Sequence, residues 1–143
     1  MKEALQEARK AGSQGEVPVG AVIVRKGVIV AQAGNRTREL ADPTAHAEML
    51  VIRAACNAVG SQRLPGYDLY VTLEPCAMCC GALIHARVEN LIFSAADLKS
   101  GAVVSNGNLL DSDFINHKVN YFQGPLKDES SDLLKRFFSQ KRL

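Results

Sequence analysis

The chain has 143 residues, of which 47% are hydrophobic and 22% charged, so we expect a single globular domain over residues 1–143 with its own core. It lacks an apolar run long enough to cross a membrane, and its amphipathic, mixed-charge start is not typical of a signal peptide, which predicts a cytoplasmic protein. The net charge of +2 is too small to indicate nucleic-acid binding by itself, and four cysteines in such a chain favour metal ligands or free thiols over disulfides.

The amino-terminal half of the chain predicts a helix, a hairpin and a second helix. The first helix has an apolar face at helical spacing: Ala4, Leu5, Ala8 and Ala11. β-branched runs at 19–25 and 28–33 predict two strands joined by a tight Lys-Gly turn. After a polar loop, we expect the second helix to start with Asp42 or Thr44 as its N-cap and to end at Gly60.

The carboxyl-terminal half predicts three more strands and two more helices. Strands are expected at 68–73, 91–93 and 119–122, and helices at 75–86 and 128–141. The proline at 75 suits the first position of its helix. Strands that alternate with helices after an initial hairpin imply an α/β fold, in which a five-stranded mixed sheet is flanked by helices.

Two short motifs carry the most informative chemistry. His46 and Glu48 form the first, and Cys76 and Cys79 form the second. One imidazole and two thiolates supply three ligands for Zn²⁺ and leave the fourth position for water, as in a catalytic zinc site. Two cysteines three positions apart share one helix face, and side chains at a helix start can converge beyond its end. The spacing therefore predicts two helix starts that face one zinc ion held by His46, Cys76 and Cys79.

Glu48 is the candidate catalytic residue because a zinc ion with two thiolate ligands needs help to activate water. The thiolates cancel the charge of the metal, so its water is less acidic than that of a zinc held by three imidazoles. A carboxylate close to the zinc, without binding it, can accept the proton of that water. We expect Glu48 to deliver this proton to a ring nitrogen of the substrate and later to protonate the leaving ammonia.

The alternative is a closed zinc knuckle that only stabilises the fold, which requires a fourth cysteine or histidine ligand. Cys56, Cys80 and His85 do not have the spacing of a ligand, and only His117 could complete such a site in space. Cys56 and Cys80 are more typical of small buried residues. The pattern favours a catalytic zinc.

Around these motifs the chain resembles the bacterial tRNA-specific adenosine deaminases, which have the wider cytidine-deaminase fold. The matching stretches cover nearly the whole chain: 16–22, 34–36, 42–48, 69–76, 81–85, 97–102, 116–119 and 137–138. The zinc motifs alone indicate only the superfamily, whereas the flanking stretches indicate the narrower family.

The resemblance implies a three-layer cytidine-deaminase-like fold and a zinc-dependent homodimer that converts the wobble adenosine of a tRNA anticodon to inosine. It places Asn35 and the backbone of Ala47 on the flipped adenine. It also places Asp97 and Lys99 on the loop that meets the neighbouring anticodon nucleotides. In the closing helix, the candidate RNA contacts are Phe138, Lys141 and Arg142.

The residues themselves leave other interpretations open. The closing helix also fits a solvated amphipathic helix with two core aromatics, Phe137 and Phe138, and an asparagine at position 35 also fits a simple turn. One rival function is deamination of a free base or nucleoside such as cytosine or guanine, since those enzymes share the metal motifs. The other rival is a catalytically silent zinc protein that binds a partner, which would have no use for Glu48.

Overall fold

The strands and helices that the apolar pattern predicts are present in a computed structural model, which describes residues 1–141. Within those residues the order is α1 (Lys2–Ser13), β1 (Gly20–Arg25), β2 (Val28–Gly34), α2 (Ala47–Val59), β3 (Tyr67–Leu73), α3 (Ala77–His85), β4 (Asn90–Ala95), β5 (Asn120–Gln123) and α4 (Lys127–Lys141). A single 3₁₀ turn, Leu109–Asp111, interrupts the long connection before β5. No helix among these residues has both the length and the apolar character required to cross a bilayer.

The five strands form one mixed sheet in the order β2-β1-β3-β4-β5. β1 is antiparallel to both β2 and β3, whereas β3, β4 and β5 are parallel. The carboxyl ends of β2, β3 and β4 therefore meet at one edge of the sheet, beside the start of β1. Asn35, Glu74 and Asp97 lie just beyond these three strand ends, and such an edge is where open α/β sheets usually bind their ligands.

Helices cover both faces of the sheet and enclose the core. α1 and α4 pack on one face and contact each other, and α2 and α3 pack together on the other. The inward-facing residues of β3 and β4, Leu69, Val71, Leu91 and Phe93, are buried, because both faces of these central strands are covered. The predicted α/β fold with a five-stranded mixed sheet between helix layers is confirmed.

Two glycines allow α1 to lie directly on the strands. Gly20 and Gly34 are paired across β1 and β2. A Cβ atom on Gly20 would clash with the carbonyl oxygen of Ala4, and one on Gly34 would clash with that of Glu7. Glycine is required at both positions because the backbone of α1 approaches the sheet so closely.

The prediction that α2 begins at Asp42 or Thr44 was wrong. The Asp42 carboxylate accepts hydrogen bonds from the Thr44 N–H (2.8 Å) and hydroxyl (2.7 Å), so it closes a local turn and does not cap the helix. The chain remains non-helical until His46, whose φ of −73° and ψ of 152° make it the N-cap of α2. The competing turn therefore delays the helix start.

The start of α3 also lies later than predicted. Pro75 is outside the helix, and Cys76 is the N-cap with φ of −76° and ψ of 176°. The carbonyl of Pro75 accepts a hydrogen bond from the N–H of Ala102 (2.9 Å), so it is held by a distant loop rather than by the first helical turn. The other boundaries differ from the prediction by at most two residues.

Candidate active site

The starts of α2 and α3 bring three metal-ligating side chains together. His46 and Cys76 are the two N-cap residues, and Cys79 lies in the first turn of α3. The Nδ1 atom of His46 lies 3.7 Å from Cys76 Sγ and 3.6 Å from Cys79 Sγ, and the three ligand atoms lie within 4.8 Å of one another. Tetrahedral zinc with Zn–S of about 2.3 Å and Zn–N of about 2.0 Å separates nitrogen from sulfur by about 3.6 Å. The donor set therefore fits Zn²⁺.

The two sulfurs also show why a cation suits this position. Hydrogen bonds from the Cys79 thiol and the His46 ring lower the pKa of Cys76 to about 3. The pKa of Cys79 is raised, because its thiol is hydrogen-bonded to Cys76 and is buried. A second thiolate beside the first is unfavourable unless a metal ion neutralises both.

Glu48 lies in the first turn of α2, next to the metal-ligating group but not part of it. Only 4% of Glu48 is exposed, and this burial raises the pKa of its carboxyl. A buried carboxylate beside a metal position can hold or release a proton without being a ligand, which is the arrangement that an acid–base catalyst requires.

Asn35 lies against the same helix start. Its Oδ1 accepts a hydrogen bond from the N–H of Ala47 (2.8 Å), and its own N–H donates to the carbonyl of Val19 (3.0 Å). The backbone N–H of Ala47 is thus engaged by Asn35, and the Nδ2 group of Asn35 keeps its two donors for another partner. The structure brings Asn35, Ala47 and Glu48 together at one end of α2.

A buried carboxylate that sequence reasoning missed supports the loop after Asn35. Glu16 accepts hydrogen bonds from the hydroxyl of Thr37 (3.3 Å) and from the N–H groups of Arg38 (3.1 Å) and Glu39 (2.8 Å). Burial of Glu16 acts to raise its pKa, but these hydrogen bonds outweigh it and lower the pKa. The only signal in the sequence was an isolated glutamate directly before an apolar strand.

A second missed carboxylate, Glu74, supports the loop at 97–105. It follows β3 directly and accepts hydrogen bonds from backbone N–H groups at both ends of that loop. It is 2% exposed and lies two residues before Cys76. A glutamate between an apolar strand and a proline is again the only local signal.

The sequence-predicted residues Asp97 and Lys99 lie on one wall of a groove of about 910 Å³, and α4 forms the other wall. The groove begins at Leu73, three residues before Cys76 in the chain. Phe138 lines it and is 46% exposed, so the interpretation of Phe138 as a core aromatic was wrong. The opposite wall presents Leu98, which is 82% exposed.

Of the remaining two predicted RNA contacts, Lys141 is the last residue of α4. Phe137 is half-buried and packs edge-to-face on Phe138, with ring centroids 5.4 Å apart. The ammonium of Lys141 lies 5.4 Å from the centre of the Phe137 ring, in a cation–π contact. Lys141 therefore adds a positive charge beside the aromatic rings of α4. Arg142 lies outside the described residues.

The residues considered as a fourth ligand lie elsewhere. Cys80 is buried, with its Sγ 3.9 Å from the carbonyl oxygen of Pro75, and Cys56 packs at the edge of the core. His85 is exposed, and the Nε2 of His117 is hydrogen-bonded to the carbonyl of Val88 (2.9 Å). Within residues 1–141, none of these four side chains joins the group of His46, Cys76 and Cys79.

Comparison with known proteins gives the same picture along the whole chain. A family model described as the cytidine and deoxycytidylate deaminase zinc-binding region matches residues 1–95. The tRNA-specific adenosine deaminase of Agrobacterium fabrum is 51% identical over 143 residues, which are 100% of this chain and 94% of that protein. The tRNA-specific adenosine deaminase of Aquifex aeolicus is 52% identical over 142 residues, which are 99% of this chain and 93% of that protein.

A solved structure from work on A-to-I editing by tRNA:A34 deaminases at the wobble position of transfer RNA superposes with a TM-score of 0.91. It is 51% identical, and the match covers 94% of this chain and 97% of that one. The resemblance, the fold and the zinc cofactor predicted from the sequence are thereby confirmed. The chain belongs to the tRNA-specific adenosine deaminases, within the cytidine and deoxycytidylate deaminase zinc-binding family.

Proposed function

We propose that this protein hydrolyses adenosine to inosine at the wobble position of a tRNA anticodon, with residues 1–143 acting as one zinc-dependent deaminase domain. The observation that carries the proposal is the group of His46, Cys76 and Cys79 with the buried carboxylate of Glu48 beside it, in a chain that is 51% identical to a tRNA-specific adenosine deaminase. A groove of about 910 Å³ lies between the loop at 97–105 and α4, near the upper end of the range of about 300–1,000 Å³ for pockets that hold drug-sized ligands, so it can accommodate more than a single base.

In this proposal His46, Cys76 and Cys79 hold the metal, and Glu48 moves the proton. Zn²⁺, when bound, supplies the Lewis acidity that makes water nucleophilic at neutral pH. Glu48 accepts a proton from the water that attacks C6 of adenine, and delivers it to a ring nitrogen. The carboxylate of Glu48 then takes the proton of the hydroxyl group newly bound to C6 and passes it to the amine. The C6=O bond forms as the C6–N bond breaks, so that one water is consumed and one ammonia leaves. The burial of Glu48 supports this role because it keeps bulk water from competing for the proton.

We assign recognition of the base to Asn35 and the start of α2. The Oδ1 of Asn35 is held by the N–H of Ala47, which fixes the amide plane and leaves Nδ2 to donate to an acceptor on the base. The hydrogen bond from Asn35 N–H to Val19 fixes the backbone as well. A flipped base would thus meet a donor that is already oriented.

We assign recognition of the flanking nucleotides to the groove. Single-stranded RNA is held by stacking of bases on exposed aromatic rings and by cations near phosphates. Phe138 offers a ring, and Lys99 and Lys135 offer cations on opposite walls. Asp97 offers carboxylate oxygens for base or sugar donors, and Lys141 and Arg142 would add positive charge for contacts with phosphates.

We also propose that the protein works in the cytoplasm as a homodimer. The resemblance to the deaminase family is the basis for both statements. Two exposed apolar side chains in the connection before β5, Phe114 (81%) and Val104 (49%), support a second copy, because an interface would bury them. Light scattering after size-exclusion chromatography should give twice the mass of one chain, and the mass of one chain would contradict the dimer.

The deciding experiment compares substrates. Purified zinc-loaded protein is incubated with an anticodon stem-loop carrying adenosine at the wobble position, and separately with free adenosine, cytosine and guanine. We expect inosine from the stem-loop, detected by nuclease digestion and mass spectrometry, and little product from the free compounds. Glu48→Gln serves as the control for a contaminating deaminase, because it retains the shape of the side chain.

If free guanine or cytosine is deaminated efficiently and the stem-loop is not, the protein is a deaminase of free bases and not of tRNA. A protein that retains zinc but deaminates none of these substrates would favour the catalytically silent binding protein.

A further inference from the structure

The carboxylate of Glu74, directly after β3, accepts five hydrogen bonds from the loop at 97–105. One oxygen accepts from the N–H of Asp97 (3.1 Å) and from the hydroxyl of Ser105. The other accepts from the N–H groups of Val103 (3.0 Å), Val104 (2.8 Å) and Ser105 (3.0 Å). A single carboxylate therefore joins the two ends of the loop at 97–105 and satisfies four backbone donors in a buried place.

The loop is closely wrapped around this carboxylate. A Cβ atom on Gly101 would clash with the Glu74 carboxyl group, so only glycine allows the loop to approach so closely. The N–H of Gly101 donates to the carbonyl of Asp97 (2.8 Å), and the N–H of Ala102 donates to the carbonyl of Pro75 (2.9 Å). The loop is thus tied to the residues between β3 and the metal-ligating Cys76.

The loop has a separate outward face that borders the groove. The Asp97 carboxylate accepts from the N–H groups of Lys99 (3.1 Å) and Ser100 (3.1 Å), which closes a turn at its tip. Leu98, Lys99 and Ser100 are exposed and line the groove opposite α4. The position of this wall relative to the metal group depends on how the loop is attached, and Glu74 accepts more of the attaching hydrogen bonds than Pro75 does.

We infer that Glu74 is a positioning residue for RNA recognition, which holds the loop bearing Asp97 and Lys99 at a fixed place beside the metal-ligating cysteines. The inference rests on the proposed function, since it concerns the groove that would hold the flanking nucleotides. Glu74 touches neither the base nor the metal group, so its removal disturbs the binding of RNA more than the chemical step.

The test compares Glu74→Gln with Glu16→Gln, which changes an equally buried carboxylate that supports the other loop. Glu74→Gln replaces one acceptor oxygen by an NH₂ group that faces backbone donors. We expect its KM for the anticodon stem-loop to rise about fivefold to tenfold, with kcat within about twofold and zinc content unchanged. Loss of zinc, or a fall in kcat without a rise in KM, would overturn the inference.

A double-mutant cycle with Lys99→Ala separates positioning from general damage. If Glu74 acts through the loop that carries Lys99, the two substitutions should not add, and the double variant should bind RNA about as weakly as the worse single variant. Glu16→Gln should add to Lys99→Ala in full. Full additivity for Glu74→Gln and Lys99→Ala would contradict the inference.

Two further measurements keep the test decisive. If Glu74→Gln does not fold, Ser105→Ala removes only one hydroxyl donor and should show a smaller rise in KM with the same coupling to Lys99→Ala. Hydrogen exchange needs no RNA: the amides of residues 97 and 103–105 should exchange faster in Glu74→Gln but not in Glu16→Gln. Absence of inosine in the wild type would refute the proposed function alone, whereas unchanged exchange would refute the role of Glu74.

Discussion

The metal centre and the groove are neighbours, yet they are built in opposite ways. The metal-ligating group lies at the first turns of two helices, and the proposed proton carrier, Glu48, is 4% exposed. The groove is formed by a loop and the outer side of α4, and its prominent side chains, Leu98 and Phe138, are 82% and 46% exposed. Atoms that must be placed within tenths of an ångström lie on helices, whereas surfaces that must accept a flexible ligand lie on a loop and an exposed helix face.

This contrast predicts different consequences for substitutions in the two regions. A substitution in the metal centre should lower kcat strongly, because no other side chain can replace a metal ligand or the proton carrier. A substitution in the groove should weaken RNA binding only slightly, because several contacts contribute to the binding free energy. Four sets of substitutions test that division, from the metal ligands to the cations of the groove.

The largest effect is expected at the metal ligands. Cys79→Ser should lose zinc and with it all measurable turnover, because serine replaces a thiolate that contributes one of three donor atoms. Cys80→Ser is the matched control, since its side chain is adjacent in sequence but faces the carbonyl of Pro75. Zinc content per chain is measured by plasma mass spectrometry. A Cys80 variant that loses zinc while the Cys79 variant keeps it would show that the ligand assignment is wrong.

The next largest effect is expected at Glu48. Glu48→Ala should retain zinc and the fold but lose about 10²–10⁴-fold in kcat, the usual contribution of a positioned acid–base group. KM for the stem-loop should change little, because Glu48 is buried and its proposed task is to move a proton rather than to hold the RNA. Single-turnover kinetics on bound RNA measures the chemical step directly. Near-normal turnover would remove Glu48 from the mechanism, and loss of zinc would make it a ligand instead.

A moderate effect is expected at Phe138. Phe138→Ala should weaken RNA binding by about 1 kcal/mol, or about fivefold, because stacking of one base on an aromatic ring contributes about 1–3 kcal/mol. Phe122→Ala is the control, since Phe122 is 54% exposed on the edge strand β5 and does not line the groove. Fluorescence anisotropy with a labelled stem-loop gives both dissociation constants. Equal losses in the two variants would mean that Phe138 has no special contact with RNA.

The smallest effects are expected from the cations of the groove. Each Lys or Arg that neutralises a phosphate should contribute about 0.7 to the slope of log K against log salt concentration for single-stranded RNA. Lys135→Ala should lower the slope by about this amount, and Lys26→Ala, at the tip of the β1–β2 hairpin, should not. Removal of Lys141 and Arg142 should weaken binding more than it slows chemistry on bound RNA. Slopes that respond equally to Lys26 and Lys135 would contradict a localised contact.

The parts of the site that were predictable from sequence depend on short-range geometry. Two cysteines three residues apart at a helix start share a face whatever the rest of the fold does. The position of His46 near the start of another helix was also predicted, although the N-cap was expected at Asp42 or Thr44. The sheet was predictable for a similar reason, because the apolar periodicity that indicates strands and helices is a local signal. Even here the helix start at Asp42 was predicted wrongly, since a turn and a helix compete for the same carboxylate.

The parts that were missed depend on partners far apart in the chain. Glu16 receives hydrogen bonds from residues 21 to 23 positions later, and Glu74 from residues 23 to 31 positions later. No local pattern distinguishes such a glutamate from a solvated one, because the donors are ordinary backbone N–H groups. The exposure of Phe138 was equally hidden, since its position on α4 depends on which side of that helix contacts the sheet.

The close contact between α1 and the glycines of β1 and β2 has a practical consequence for protein engineering. Gly34 packs against α1 and directly precedes Asn35, the proposed base-recognition residue, so α1 supports the backbone at that point. A fusion partner joined rigidly to the amino terminus would press on this stretch through α1. Fusions made there should therefore use a flexible glycine–serine linker, which lets the partner move without force on the helix.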